Sequence, residues 1–436
     1  MNQRPDRVSS EPSMDLEAGL DRYARILVEH GAGVVPGQHV YVSSETAHRD
    51  LVLRVAEAAY DAGASSVSTS MSDPYLVEQL IRRADTEHIE LAIERERSWI
   101  NECVARGGAL ISLRGEEAPR LMPDLATQRP ERHAVYTRAS SQKSKVFMHH
   151  GINRSLCPWV VAGAVSEAWA QLVFPDLPSA EASAELWRHV FAFTHADRED
   201  AVEAAAAKDR CLHARRRLLG ELQIREIRVV GGESDLRVGF SNKARWLGGS
   251  KQTASGQTFN ANVPSEENFT TPDRRKTEGR LAATMPFRTK SGLLVEGLVM
   301  DFVAGRIERV QAKSGGESFE RWIDSDAGGR FLGEFALVGQ DSPIAQSGLF
   351  FEHTLYDENA WPHVAVGQAY ATAIEGGESM SESDKAAIGC NASTIHTDIM
   401  FGSPEVSVIA TETREGEVTL IDNGHWTERF LEPAVE

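Results

Sequence analysis

The second half of the chain contains side chains of the types that bind divalent metal ions. They are two histidines, several carboxylates and a phenol: Glu266, Glu267, Glu334, His363, Tyr370, His396 and Asp398. Imidazole combined with carboxylate suits zinc, cobalt, manganese or iron, whereas ligation by oxygen alone suits magnesium or calcium. The set therefore predicts one or two divalent ions per chain, and it leaves the choice among the first four metals open.

His396 and Asp398 form the most informative pair in this set. They lie in Ser393–Met400, a segment rich in β-branched and apolar residues, which is typical of a strand. Side chains alternate between the two faces of a strand, so residues two apart share a face. Both ligands are expected to face one site.

His363 and Tyr370 are seven residues apart within Pro362–Tyr370. If this stretch is helical, that spacing places both side chains on one stripe, two turns apart. We therefore expect both residues to reach the same site.

Each of these residues also has a structural explanation. A lone histidine or glutamate in a chain with 14 histidines and 64 acidic residues usually has a structural role. The Glu266–Glu267 pair follows Pro264-Ser265, a pattern that also resembles the first turn of a helix. Cys390 is expected to be a small buried hydrophobic residue rather than a ligand.

Three segments carry a resemblance to a known family. In order along the chain they are 262–272, 355–370 and 389–405, with weaker matches at 31–42 and 168–175. They resemble the motifs of the thermophilic-aminopeptidase (M29) family of metallopeptidases. The resemblance covers most of the chain.

The resemblance implies a ligand set: one glutamate of the 266–267 pair (taken as Glu267), with Glu334, His363, Tyr370, His396 and Asp398. It also implies a homodimer or a higher homo-oligomer. Glu266 and Glu267 are both candidates for the general base, and Tyr370 is a candidate donor to a developing oxyanion. Tyr356, Asp357 and Glu358 are candidates to orient the ligating histidines.

The function implied by this resemblance is a metal-dependent aminopeptidase that removes N-terminal residues from peptides through a metal-activated water. The same fold is used by divergent relatives that are not peptidases. The alternatives are thus a hydrolytic deaminase of an aromatic amine, of the nitroanthranilate type, and an Fe(II) ring-cleaving dioxygenase. A protein whose metals are only structural is disfavoured, because structural zinc sites are rich in cysteine.

Composition limits the class of protein. The chain has 436 residues, of which 41% are hydrophobic and 25% charged, as in a globular protein. The formal net charge of −18 argues against nucleic acid as a partner, because that binding depends on lysine and arginine neutralising phosphates. Arg215, Arg216 and Arg217 are interpreted as a solvated helix face.

Four scattered cysteines without a CxxC pair fit a reduced, cytoplasmic setting. No stretch approaches eighteen apolar residues, so no membrane span is expected. Residues 1–14 are predicted to be a disordered lead-in, without the apolar segment of a signal peptide.

The elements that must position the ligands fall into two types. Between residues 15 and 223, helices and strands alternate, which predicts an α/β domain with a mostly parallel sheet. Short β-branched runs separated by turns dominate residues 224–436, which predicts a β-rich α+β domain with the metal site. Examples are 293–303 and 307–312, joined by a hairpin loop at Ala304–Arg306.

Overall fold

The computed structural model describes residues 15–146, 154–289, 294–431 and 433–434. The predicted lead-in, residues 1–14, lies outside the described residues. Within the described ranges, no helix is long and apolar enough to cross a membrane.

The first half alternates helices with strands, as predicted. Its helices are α1 (Leu16–Arg25), α2 (Arg49–Asp61), α3 (Pro74–Arg83), α4 (Thr86–Ala105), α5 (Leu121–Gln128), α6 (Pro130–Val146), α7 (Glu167–Val173), α8 (Ser179–Thr194) and α9 (Ala201–Glu221). Its strands are β1 (His39–Glu45), β2 (Ser66–Ser72), β3 (Ala109–Arg114) and β4 (Trp159–Gly163).

The second half is rich in strands. They are β5 (Glu226–Gly231), β6 (Ser234–Phe240), β7 (Lys251–Gln252), β8 (Thr258–Phe259), β9 (Asn262–Val263), β10 (Asn268–Thr270), β11 (Pro272–Ala282), β12 (Phe287–Arg288), β13 (Leu294–Val295), β14 (Val299–Val303), β15 (Arg306–Gln311), β16 (Leu332–Leu337), β17 (His363–Gly367), β18 (His396–Met400), β19 (Ser407–Glu412), β20 (Val418–Asp422) and β21 (His425–Trp426). Its helices are α10 (Gly316–Ile323), α11 (Pro343–Ser347), α12 (Thr354–Asp357), α13 (Glu382–Ala387) and α14 (Glu428–Leu431).

The first sheet has the order β2-β1-β3-β4-β9, and all its strands are parallel. Its inner strands are almost entirely buried, as expected for a sheet covered by helices on both faces. Strand β9 comes from the second half, and it leads directly to Glu266 and Glu267. The parallel sheet therefore extends to the candidate site.

Two large antiparallel sheets build most of the second half, beside two two-stranded sheets, β7-β8 and β12-β13. One has the order β10-β16-β17-β18, and the other has the order β15-β14-β11-β6-β5-β19-β20-β21. A hydrophobic core that includes Phe240, Phe335 and Phe401 packs between them. The predicted fold class, a parallel α/β part followed by a β-rich part, is confirmed.

Two local predictions need correction, and a third is confirmed. The predicted strand 293–303 is two strands, β13 and β14, separated by a turn at Gly297 with φ of 58°, and residue 293 lies outside the described residues. The hairpin at Ala304–Arg306 is confirmed. The solvated face predicted for 215–217 is wrong for Arg215, which is 1% exposed and donates hydrogen bonds to the carbonyls of Phe430 and Leu431.

Candidate metal centre

The four-stranded sheet aligns the candidate ligands on one face. Glu334 on β16 pairs with Ala365 on β17, and Ala365 pairs with Asp398 on β18, so the three residues form one row across the sheet. Residues in one row share a face, and so do residues two apart on a strand. His363 and His396 therefore join Glu334 and Asp398 on this face.

The small side chain of Ala365 separates the two carboxylates of this row. Ala365 is completely buried. A methyl group leaves space between Glu334 and Asp398 that a larger residue would fill, so the row can hold ions rather than packed side chains.

The first ligand group consists of Glu267, Glu334 and His363, whose candidate ligand atoms lie within 4.8 Å of one another. His363 Nε2 is 3.3 Å from Glu267 Oε2. That carboxylate oxygen is buried and makes no hydrogen bond within the described part of the chain. An orphaned buried carboxylate oxygen beside an imidazole nitrogen fits a divalent ion.

The second ligand group consists of Glu334, His396 and Asp398, again within 4.8 Å. His396 Nε2 lies 3.2 Å from Glu334 Oε2 and 3.3 Å from Asp398 Oδ1. Glu334 belongs to both groups, so its two oxygens can serve two neighbouring ions. The donor set, imidazole with carboxylates, fits zinc, cobalt or manganese.

Backbone carbonyls orient both histidines. Nδ1 of His396 lies 2.8 Å from Gln368 O, and Nδ1 of His363 lies 3.3 Å from Trp361 O. A carbonyl oxygen only accepts, so each Nδ1 carries the proton and each Nε2 is left to bind an ion. The expectation that Tyr356 or Asp357 orients these histidines is wrong.

The helical interpretation of Pro362–Tyr370 is also wrong, because His363–Gly367 is the buried strand β17. Tyr370 lies three residues beyond this strand. Its ring centroid is 5.1 Å from that of His396 and 5.6 Å from that of Phe269. His363 and Tyr370 thus both lie close to the ligand cluster, as predicted. They do so because a strand carries His363 and the segment after that strand carries Tyr370, not because they share a helix face.

Glu266 and Glu267 face different surroundings. Glu266 is paired with Lys208 of α9, and its backbone N–H donates to Asn359 Oδ1 at 2.6 Å. Glu267 faces His363. The helix-start alternative is wrong, because this segment runs between two strands, β9 and β10.

Glu358 is a further carboxylate beside the two ligand groups. It is half-buried, and its carboxylate makes no hydrogen bond or ion pair with any described residue. Burial raises the pKa of Glu358 well above its usual range, and the charges of Asp398 and Glu267 raise it further. The sequence predicted that Glu358 would orient a ligating histidine, but the Nδ1 atoms of both histidines face backbone carbonyls instead.

Other residues near the cluster have structural roles. Asp357 accepts hydrogen bonds from the backbone N–H groups of Phe351 and His353, at 2.8 and 2.9 Å. The ring centroid of His353 lies 4.8 Å from that of Trp169, and burial lowers the pKa of His353 to about 4. Cys390 is buried in a small apolar cluster with Ala369 and Ile374, as expected.

The charges of the cluster act on one another. Burial alone would lower the pKa of His363, but the adjacent Glu267 carboxylate and its neighbours raise it to about 10. Burial raises the pKa of Glu334, an effect that its contact with His396 opposes. Without ions the cluster therefore retains protons, which metal ions displace when they bind.

A cavity of about 90 Å³ opens beside the second group. Glu358, His396 and Asp398 line one side of it, and Phe287 and Met400 provide apolar walls. A salt bridge of 2.6 Å between Arg288 and Glu352 lies on its lining. The candidate metal centre is thus open to a small molecule or to the end of a chain.

Comparison with known proteins identifies the family of the chain. Residues 16–426 match the family described as thermophilic metalloprotease (M29). Aminopeptidase T of Thermus aquaticus is 34% identical over 411 residues, covering 93% of this chain and 98% of that protein. Aminopeptidase AmpS of Bacillus subtilis is 32% identical, with the same coverage.

A solved structure gives the same result for the fold. Wild-type AmpT from Thermus thermophilus matches with a TM-score of 0.84 and 31% identity, covering 94% of this chain and all of that one. The relatives named here are aminopeptidases, and nothing in the comparisons supports the deaminase or dioxygenase alternatives. The chain belongs to the M29 family of thermophilic metalloproteases and is a metal-dependent hydrolase.

Proposed function

We propose that this hydrolase is an aminopeptidase that removes the N-terminal residue from peptides. The observation that carries the proposal is the pair of ligand groups joined through Glu334 on one face of the sheet. Two divalent ions in such an arrangement lower the pKa of water and polarise a peptide carbonyl. The names of the relatives support the same activity.

In this proposal Glu267, Glu334, His363, His396 and Asp398 would hold the ions, and Glu334 belongs to both ligand groups. Burial and the surrounding carboxylates raise the pKa of Tyr370 well above 10, so its phenol keeps its proton. A protonated phenol beside His396 is suited to donate a hydrogen bond to the oxyanion that develops on the substrate.

Glu358 has the position expected of the general base. Glu358 lines the cavity and lies close to both ligand groups. Its carboxylate has no hydrogen-bond or ion-pair partner among the described residues. We propose that bound cations would lower the pKa of Glu358, so that its carboxylate accepts the proton of the attacking water. Glu266 is unsuited to this role because it pairs with Lys208. A Glu358→Gln variant separates this role from ligation: a base predicts lost turnover with full metal content, and a ligand predicts lost metal.

The cavity beside the second group is proposed to accept the first side chain of the substrate. Phe287 and Met400 form its apolar walls, which favour an apolar N-terminal residue such as leucine. Peptides are therefore the proposed substrates, and zinc, cobalt or manganese the proposed ions. The homo-oligomer implied by family resemblance remains a prediction.

The test is hydrolysis of a leucine chromogenic anilide by metal-stripped protein reloaded separately with zinc, cobalt, manganese or iron(II). We expect release of the aniline to return with at least one of the ions, in proportion to bound metal. Ions that bind stoichiometrically without restoring cleavage of this substrate or of leucyl peptides would contradict the proposal.

A further inference from the structure

Lys251 is a cation next to the metal centre that the proposed mechanism does not use. It lies at the start of β7, paired with Phe259 of β8. Its ammonium group sits 4.9 Å from the ring centroid of Trp159 and 5.7 Å from that of Phe259. It makes no hydrogen bond or salt bridge with any described residue.

The backbone places this lysine beside a ligand-bearing segment. Leu247 and Phe269 exchange backbone hydrogen bonds of 2.8 and 3.0 Å, so the chain toward Lys251 runs antiparallel to the segment that holds Glu267. Gly248 lies so close that a Cβ there would come within 2.7 Å of Glu267 O. Lys251 and Glu267 are thus held in neighbouring segments.

Lys251 is partly exposed to solvent. Its side chain is half-buried, although it is flanked by two aromatic rings. The negative charge of Glu378, an exposed residue shortly after Tyr370, also interacts with the ammonium group of Lys251. The ammonium group therefore lies between Trp159 of the parallel sheet and the segment that holds Glu267.

We infer that Lys251 binds the C-terminal carboxylate of a short peptide whose N-terminal residue lies at the metal centre. This inference rests on the proposed aminopeptidase function and adds its substrate class: di- and tripeptides with a free carboxylate. An ammonium group that makes no salt bridge with the described residues, set among aromatic rings, can form a strong charge-assisted hydrogen bond with a substrate carboxylate.

The state of the amine agrees with this role. Burial lowers the pKa of Lys251 to about 8, while the charges of Glu267 and Glu378 oppose that change. The amine is then mostly protonated at neutral pH, as carboxylate binding requires.

Peptide length follows from the same geometry. Each residue of an extended chain spans roughly 3.3–3.6 Å. Because Lys251 lies at a fixed distance from the metal centre, it can bind the terminal carboxylate of a short peptide. In a longer peptide that carboxylate lies beyond its reach. Longer peptides would gain nothing from Lys251.

The test compares kcat/KM for leucyl-glycine and leucyl-glycinamide, and for leucyl-glycyl-glycine and its amide, with the metal-loaded enzyme. The members of each pair share the scissile bond and differ only in the terminal charge. We expect the wild type to prefer at least one free acid over its amide, and Lys251→Met to lower kcat/KM for that acid by roughly 10- to 100-fold. The amide and leucine anilide should change by less than about 2-fold, and Lys251→Arg should retain part of the preference.

The controls separate the two proposals. Retained anilide hydrolysis shows that Lys251→Met is folded and metal-loaded, and Lys313→Met serves as a matched exposed lysine. Equal rates for acid and amide in the wild type, or an equal loss on both in Lys251→Met, would overturn this inference alone. Failure of the wild type to cleave any of these substrates would overturn the proposed function and this inference with it.

Discussion

The two ligand groups share Glu334 but differ in their contact with solvent. In the first group the side chains of His363 and Glu267 are 1% and 9% exposed. In the second group those of His396 and Asp398 are 18% and 11% exposed, and both line the cavity. One half of the centre is enclosed by protein, and the other half opens toward the space proposed for the substrate.

This difference follows from strand order. β17, which carries His363, is an inner strand with β16 and β18 on either side, whereas β18 is the edge strand of its sheet. An inner position buries the first group, which would restrict the exchange of an ion bound there. The edge position leaves the second group accessible, as a catalytic ion requires.

The largest expected effect comes from removing the shared ligand. Glu334→Ala deletes a carboxylate from both groups at once, so both ions should bind weakly and turnover should fall by at least about 1000-fold. Metal content and leucine anilide hydrolysis are measured together, with Glu317→Ala, an exposed glutamate, as control. Normal turnover in Glu334→Ala would refute a shared centre.

The second prediction tests whether the first ligand group depends on the neighbouring ion pair between Lys208 and Glu266. Lys208→Met leaves Glu266 buried without its cation, which should lower the free energy of unfolding by about 2–3 kcal/mol. Adding Glu266→Gln should recover part of this loss, measured by chemical denaturation. Because Glu266 faces away from the ligands, loaded protein should retain its metal; loss of both ions would place Glu266 in the centre instead.

A matched pair of histidine variants tests the comparison itself. His363→Gln disturbs the buried group and should lower the free energy of unfolding by about 2 kcal/mol, while His396→Gln should cost less than about 1 kcal/mol. Both should lose turnover, and chelators should remove the remaining ion faster from His363→Gln. Equal destabilisation would mean that exposure does not distinguish the groups.

The smallest change in stability is expected in the loop that precedes β18, the strand that carries His396 and Asp398. Asp326 accepts hydrogen bonds from the backbone N–H of Thr394 at 2.5 Å and from Ser393 Oγ at 2.9 Å, just before β18. Burial would raise the pKa of Asp326, but the hydrogen bonds from Thr394 and its neighbours lower it. Asp326→Asn should therefore cost about 0.5–1 kcal/mol, discounted because the group is partly exposed.

The sign of the pH dependence follows from the lowered pKa. The contribution of Asp326 is fully present above the pKa of an unfolded aspartate, about 3.9, and is lost as the pH falls through its lower folded value. Unfolding curves of wild type and Asp326→Asn should differ at neutral pH and converge in acid. A gap that persists in acid would show that charge is not the cause.

Local sequence predicted the parts of the centre that depend on local geometry. His396 and Asp398 share a face because a strand alternates, and that requires no distant partner. Periodicity failed at His363–Gly367, because a short apolar run fits both a buried strand and a helix. The β-branched residues Val364 and Val366 favoured a strand and could have decided the question.

Features that depend on distant residues could not be predicted. Glu266 and Glu267 are neighbours, and only Lys208 and His363, from other parts of the fold, distinguish them. Arg215 looks solvent-exposed because the carbonyls that bind it lie more than 200 residues away. Likewise, the position of Ala365 between Glu334 and Asp398 follows from the strand register, which the sequence does not show.

Anomalous diffraction from crystals soaked with zinc or manganese would show whether two ions bind at the two groups that share Glu334. We expect two anomalous peaks roughly 3.5–4 Å apart, one beside Glu267 and His363, the other beside His396 and Asp398, both in contact with Glu334. Peaks elsewhere, with none at these residues in protein that cleaves leucine anilide, would contradict this expectation.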